Sequence, residues 1–117
     1  GKKMEKTERP WGTYEVLLDD DNCKVKKISV KPGESPSYQY HHKRAEDWII
    51  IQGKGVVRLG GTKFEVFPGR SVHVPVLVKH SIKNTCQEEM LVFIEVQTGD
   101  YFGEDDIVRL EDKYGRA

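Results

Sequence analysis

Gln39, His41 and Glu46, followed far along the chain by His80, form a set of potential metal ligands. Their order, Q-x-H-x4-E … H, offers oxygen and nitrogen donors from separated stretches of one chain. Gln39 and His41 lie two apart, so on an extended strand both side chains leave the same face. Glu46 follows after a short polar stretch, and His80 belongs to a distant strand run. Donors converging from different strands describe a divalent-metal site that can keep coordination positions open for a substrate. The set carries one formal negative charge, on Glu46, so a bound divalent ion keeps net positive charge and favours a developing oxyanion. Zinc suits the His and Glu donors best. The hard amide oxygen of Gln39 leaves manganese, iron, cobalt and nickel open. Taken singly, each residue has a plainer explanation: a hydrogen-bonded core histidine, a polar strand residue, a solvated turn acid.

Short, frequent strand signals must position these donors. Thr13 to Leu18, Cys23 to Val30, Trp48 to Ile51, Val56 to Leu59, Lys63 to Phe67, Ser71 to Val74, His80 to Lys83 and Met90 to Gln97 are rich in β-branched or aromatic residues. Turn chemistry separates them, as at Pro32-Gly33, Gly53-Lys54-Gly55 and Pro68-Gly69, and Gly60-Gly61 signals a two-residue hairpin. In Cys23 to Val30, Val25, Lys27 and Ser29 share one face and Lys24, Lys26, Ile28 and Val30 the other, so one face is expected to be wet. Trp48-Ile49-Ile50-Ile51 is apolar throughout and is expected to be buried on both sides. Asp105 or Asp106 could cap a short C-terminal helix carrying Ile107, Leu110 and Tyr114. The expectation is an all-β, single-domain sandwich or barrel over 1–117, with a flexible segment at 1–8 and a short C-terminal helix.

At 117 residues the chain supports one core. Its 19 basic and 19 acidic residues balance, which argues against nucleic-acid or membrane-surface binding. No apolar run approaches the roughly 20 residues of a membrane span. The charged start has no hydrophobic segment behind it and does not read as a secretory signal. Cys23 and Cys86 form no C-x-x-C pair and read as free thiols in a reducing cytoplasm. Exposed strand edges in a small barrel are commonly covered by a partner, so a homodimer is expected.

Gly33-x7-His41-x4-Glu46-x6-Gly53 resembles the first cupin motif, with Gln39 where most cupins have their first ligand histidine. Gly69-x5-Pro75-x4-His80-x3-Asn84 resembles the second, with Leu77 at the usual glycine, so that turn is expected to be built differently. At this spacing the four donors together point to metal. Within the cupins the chain is similar to type II phosphomannose isomerases, which occur alone or as the C-terminal domain of bifunctional mannose-1-phosphate guanylyltransferases. The stretches that carry the likeness are Arg9-Pro10-Trp11-Gly12, Gln39-x-His41-His42-x-Arg44-Ala45-Glu46-x-Trp48, and the tail from Glu95 to Arg116. The family usually reads H-H-H-R-A-E-H-W, whereas Lys43 and Asp47 stand at two of its histidine positions here. These residues contain no Gly-rich phosphate loop, so guanylyl transfer is not expected of them.

The resemblance implies a metal-dependent mannose-6-phosphate isomerase that interconverts mannose 6-phosphate and fructose 6-phosphate through an enediol or enediolate and feeds GDP-mannose synthesis. Such chemistry needs a base, an electrophile and a cationic anchor. Glu95, an acid among Phe93, Ile94 and Val96, suits proton transfer if burial raises its pKa; a salt bridge to a neighbouring strand is the equal alternative. Asp105-Asp106-Ile107-Val108-Arg109 resembles a D-N-V-V-R segment of the larger, type I enzymes, which implies a catalytic or phosphate-binding role for Arg109. Its plain alternative is a helix-surface ion pair with Glu111 or Asp112. Lys43 and Arg44, between His41 and Glu46, are candidate substrate contacts, while Lys79 is expected to be solvated. Trp11 and Trp48 read as packing residues, His73 as structural, and His42 as pointing away from the donors. The competing functions are a non-catalytic metal-containing cupin that binds a sugar phosphate or nucleotide sugar, and an O2-dependent oxygenation on iron.

Overall fold

The structure is a computed structural model and describes residues 5–111. It contains strands β1 (Lys6–Arg9), β2 (Gly12–Asp19), β3 (Cys23–Val30), β4 (Tyr38–His41), β5 (Arg44–Gln52), β6 (Gly55–Leu59), β7 (Thr62–Val66), β8 (Ser71–Val74), β9 (His80–Asn84), β10 (Leu91–Gly99) and β11 (Ile107–Glu111). They form a six-stranded sheet in the order β1-β2-β3-β10-β5-β8 and a five-stranded sheet in the order β11-β4-β9-β6-β7. The pairings are antiparallel, and Gly60-Gly61 closes the β6–β7 hairpin as expected, with Gly60 at φ 58°. Gly12 is required where it stands: a side chain there would press its Cβ to 1.9 Å from the Ser29 carbonyl oxygen.

Along each central strand the inward side chains change from apolar to polar. On β5, Trp48 and Ile50 face inward at one end, Arg44 and Glu46 at the other. On β10, Leu91 and Phe93 give way to Glu95 and Gln97, and on β3, Val30 and Ile28 give way to Lys26. The barrel therefore has a dry half, filled by residues such as Val57, Val66, Val74 and Ile82, and a polar half. Each fully buried Val, Ile, Leu or Phe contributes roughly 1.5–3 kcal/mol, which offsets the desolvation of ionisable groups in the other half.

Several expectations are corrected. Ile49 and Ile51 are 44% and 51% exposed on the outer face of β5, so the Trp48 to Ile51 run is buried on one side only. The antiparallel sheet covers one face of β5 and leaves the other open. No C-terminal helix forms among the described residues: after a single 3-10 turn at Glu104–Asp106, Ile107–Glu111 pairs with β4 as a strand. β-Branched Ile107 and Val108 suit that ladder, and Tyr114 lies outside the described residues. At the N-terminus, Lys6, Thr7 and Glu8 are paired with β2 and so belong to a strand, not to a flexible segment. Leu77 adopts φ 71°, the left-handed conformation that glycine would take, at a cost of about 1–2 kcal/mol. The turn is thus built as with glycine, and the Leu77 N–H donates to the His41 carbonyl at 2.8 Å, tying it to the end of β4.

Candidate metal centre and cavity

His41 ends β4, Glu46 is the third residue of β5 and His80 begins β9; one ligand atom from each lies within 4.8 Å of the others. All are buried. Gln39 stands directly opposite His80 in the β4–β9 pair, and Arg109 of β11 stands opposite Gln39 on its other side. The row Arg109, Gln39, His80 therefore crosses three adjacent strands. Ser37 Oγ donates to the Gln39 amide oxygen at 2.7 Å, which fixes the amide and leaves that oxygen a further lone pair.

The histidines are arranged as ligands would be. His80 Nδ1 lies 2.9 Å from the Val78 carbonyl oxygen, a contact that places the proton on Nδ1 and leaves Nε2 with its lone pair. That Nε2 is buried and has no hydrogen-bond partner. His41 Nε2 sits 3.1 Å from Glu46 Oε2 without the alignment of a hydrogen bond, and its Nδ1 is unpartnered too. Buried polar atoms without partners are uncommon and call for an explanation. A shared cation supplies one. Burial lowers the pKa of His80 against the opposing pull of Glu46 and the Val78 contact, which favours the neutral imidazole a metal needs.

Glu46 is held from behind. Arg44 Nε and Nη2 each lie 3.0 Å from its Oε2, and Trp48 Nε1 donates to Oε1 at 3.0 Å. Burial opposes its charge, but His41, Arg44 and His80 outweigh burial and hold the carboxyl well below the usual carboxylate range. Trp48 also meets the His80 ring edge-on at 5.9 Å, so it positions two donors as well as filling the core.

The donors open into a cavity whose lining includes Gln39, Arg44, Glu46, His80, Glu95 and Arg109. Glu95 is buried beneath it, and the Gln97 amide donates to its Oε1. Burial, reinforced by the Glu46 charge, raises its pKa to about 7 despite Arg44, Lys26 and that amide. Arg109 presents a buried Nε with no partner. His41 is buried beside Glu46 and does not line the cavity. Lys43 points elsewhere: it lines a separate surface pocket and its Nζ lies 5.1 Å from the centre of the Tyr101 ring. Its main-chain N–H is what the site uses, donating to Asp106 at 2.9 Å beside a second bond from the His42 N–H at 3.2 Å. Asp106 thereby ties the turn between His41 and Glu46 to the root of β11.

The residues 2–112 match the family described as the mannose-6-phosphate isomerase C-terminal domain. The chain belongs to this family. It is 40% identical over 99% of its length to a mannose-1-phosphate guanylyltransferase of Klebsiella pneumoniae and 45% identical over 96% of its length to the xanthan biosynthesis protein XanB of Xanthomonas campestris pv. campestris. It spans 24% of each of those proteins, about a quarter of their length. Among solved structures, a double-stranded β-helix protein of Klebsiella pneumoniae superposes with a TM-score of 0.76 over 91% of this chain and 90% of its own, at 18% identity. That likeness carries the fold, a cupin barrel, which is as expected.

The two departures from the family pattern can now be placed. Asp47 is exposed on the outer face of β5, where its Oδ1 lies 2.8 Å from Nδ1 of exposed His73. Such a surface pair contributes roughly 0–1 kcal/mol. Asp47→His and Lys43→His are therefore expected to leave metal affinity within about twofold, since neither side chain reaches the donors. A competition titration with a chromophoric chelator checks this, and a tenfold change in either variant would contradict the placement.

Lys26 and Glu104 also line the cavity, and neither was singled out by sequence. The signal for Lys26 was present: it shares its face with Ile28 and Val30, so a lysine in phase with core residues had to be buried or to reach into a cavity.

Proposed function

We propose that this cupin domain is a metal-dependent isomerase that interconverts mannose 6-phosphate and fructose 6-phosphate and supplies precursor for GDP-mannose. The observation that carries this reading is the cavity itself, where a buried carboxylate poised near neutral pH shares the lining with metal donors and with Arg109, whose buried Nε has no hydrogen-bond partner. The family membership supports the same chemistry. Gln39, His41, Glu46 and His80 would hold the ion, with zinc the best fit to the donors. When bound, it supplies Lewis-acid polarisation of the sugar oxygens.

The chain's own residues do the rest. Glu95 takes the proton from C2 of the open-chain aldose, and the electron pair of that bond forms the C1–C2 double bond as the carbonyl pair moves onto O1. The proton then returns from Glu95 to C1 while the O2 hydroxyl proton passes to O1, leaving the ketose. Arg109 faces the oxygens that gain charge in this passage. The apolar wall of Trp11, Ile28 and Phe93 limits water around it. A homodimer is part of the proposal, and light scattering measures it.

The test is fructose 6-phosphate formation from mannose 6-phosphate by protein stripped of metal and reloaded with zinc, manganese, cobalt or nickel. Turnover restored by one of these ions supports the isomerase. Loaded protein that stays silent with every ion overturns it in favour of a non-catalytic sugar-phosphate binder. Arg109→Ala is expected to keep its metal and lose turnover by about a hundredfold or more, the usual effect of removing one oxyanion-stabilising donor. Unchanged turnover in that variant would remove Arg109 from the chemistry.

A further inference from the structure

The cavity holds an anion of its own. Glu104, in the 3-10 turn before β11, extends its carboxylate between two buried cations: Oε1 lies 3.7 Å from Lys26 Nζ and Oε2 lies 3.8 Å from Arg44 Nη1. The Lys26 and Arg44 side chains are 6% and 3% exposed, whereas that of Glu104 is 44% exposed. Arg44 spends Nε and Nη2 on Glu46, so Nη1 is buried with no hydrogen-bond partner. Both separations from Glu104 exceed a hydrogen bond. The carboxylate satisfies the charge of the cations and not their hydrogen-bonding geometry.

We propose that Lys26 and Arg44 form the seat for the phosphate of the substrate, and that Glu104 occupies this seat as a displaceable internal anion. A phosphate monoester dianion carries about twice the charge of a carboxylate at neutral pH and has three acceptor oxygens. It can reach Lys26 and Arg44 Nη1 together at hydrogen-bond distance, which Glu104 does not. Lys26 is held for this role. Its Nζ stands 4.3 Å from the centre of the Tyr14 ring, and Tyr14 is itself fixed by Arg9, whose Nη2 donates to the phenol oxygen at 3.2 Å. The main chain of Lys26 is directly opposite Glu95 on β10, so the seat is built on the strand that flanks the base.

Glu104 then acts on specificity. An uncharged sugar has nothing with which to displace it, and a weak anion gains little by doing so. A phosphorylated sugar exchanges a loose ion pair for a close one, so discrimination arises partly from a repulsive element built into the site. Displacement also acts on the turn that leads into β11, the strand that carries Arg109. Only the identity of the phosphorylated sugar rests on the isomerase reading; the anion seat rests on the geometry of Lys26, Arg44 and Glu104.

Calorimetric titration of the metal-loaded full chain with inorganic phosphate, mannose 6-phosphate and mannose tests this directly. Glu104→Gln removes the competing charge at an exposed position and is expected to tighten inorganic phosphate and mannose 6-phosphate by about three- to tenfold. Lys26→Met is expected to weaken both by roughly tenfold, with metal content unchanged. Mannose should respond to neither. In the double variant the tightening by Glu104→Gln should shrink, because Glu104 and Lys26 act on one seat. Unaltered or weaker phosphate binding in folded Glu104→Gln overturns the proposal. Since Glu104 is exposed, that variant remains informative even if Lys26→Met fails to fold. The readout is equilibrium binding, so turnover without these shifts sinks the phosphate seat alone, and these shifts without turnover sink the isomerase alone.

Discussion

His80→Ala is expected to strip the protein of its metal and, with it, to lower isomerase turnover by at least about a thousandfold, since Lewis-acid stabilisation is worth several kcal/mol. The substitution deletes Nε2, the buried atom that faces the other donors without a partner of its own. It leaves Glu46 with its Arg44 and Trp48 contacts, so the acid remains satisfied. Glu46→Ala is the less clean experiment. It would remove the close partner of the buried Arg44 guanidinium and leave it the looser, exposed Glu104 carboxylate 3.8 Å from Nη1, at a cost of up to roughly 3–5 kcal/mol. Elemental analysis after dialysis against a weak chelator is the primary readout, because it does not depend on knowing the substrate. His80→Ala that retains metal as the parent does would end the metal-centre assignment, whatever its activity. Thermal melting of the parent with and without added ion gives a second check: a ligand bound only by the folded state must raise the melting temperature.

The legibility of this site in sequence follows from what one-dimensional spacing can carry. The period of two along a strand places Gln39 with His41, and Lys26 with Ile28 and Val30, whatever the rest of the fold does. It cannot say which strands become neighbours. That Gln39 stands between Arg109 and His80 depends on β11 pairing with β4, a contact between residues far apart in the chain. Arg109 was singled out by resemblance, and its place was expected on a helix. Ile107, Leu110 and Tyr114 fit a helical period, but the gain from extending the β4 edge outweighs that weak local preference. The Trp48 to Ile51 run shows the opposite failure. Uninterrupted hydrophobicity suggested burial on both faces, yet the outer face of β5 has no layer above it among the described residues. Lys43 lies between two donors in sequence, which suggests a substrate contact. The tight turn bound to Asp106 directs its side chain out to Tyr101 instead. Adjacency in sequence located the turn; only the turn's geometry decides which of Lys43 and Arg44 faces the cavity.

Glu95→Gln is expected to separate stability from activity. For turnover, removal of the proton acceptor should cost about a hundred- to ten-thousandfold in kcat, the usual range for a positioned acid or base. For stability the sign is reversed. Folding raises the Glu95 pKa from 4.5 to about 7, so between those pH values the folded protein binds a proton that the unfolded chain has released. Stability contributed by this residue is therefore present below pH 4.5, is lost as pH rises toward 7, and stays lost above it. A neutral glutamine avoids that penalty. In metal-free protein, Glu95→Gln should be more stable than the parent at pH 8, on the order of 1–3 kcal/mol, and the two should converge near pH 4. Urea unfolding at the two pH values measures this, and equal stabilities at pH 8 would show that Glu95 is not held in the raised state. Burial does most to set that state and the Glu46 charge adds to it, while Arg44, Lys26 and the Gln97 amide lower it. A cation among the donors adds to the lowering side. The acid limb of kcat/KM in the loaded enzyme should thus fall below pH 7, and its distance from the value in metal-free protein reports how strongly the ion and the base are coupled. Such a carboxylate is costly to bury, and a barrel selected only for stability would have an amide there.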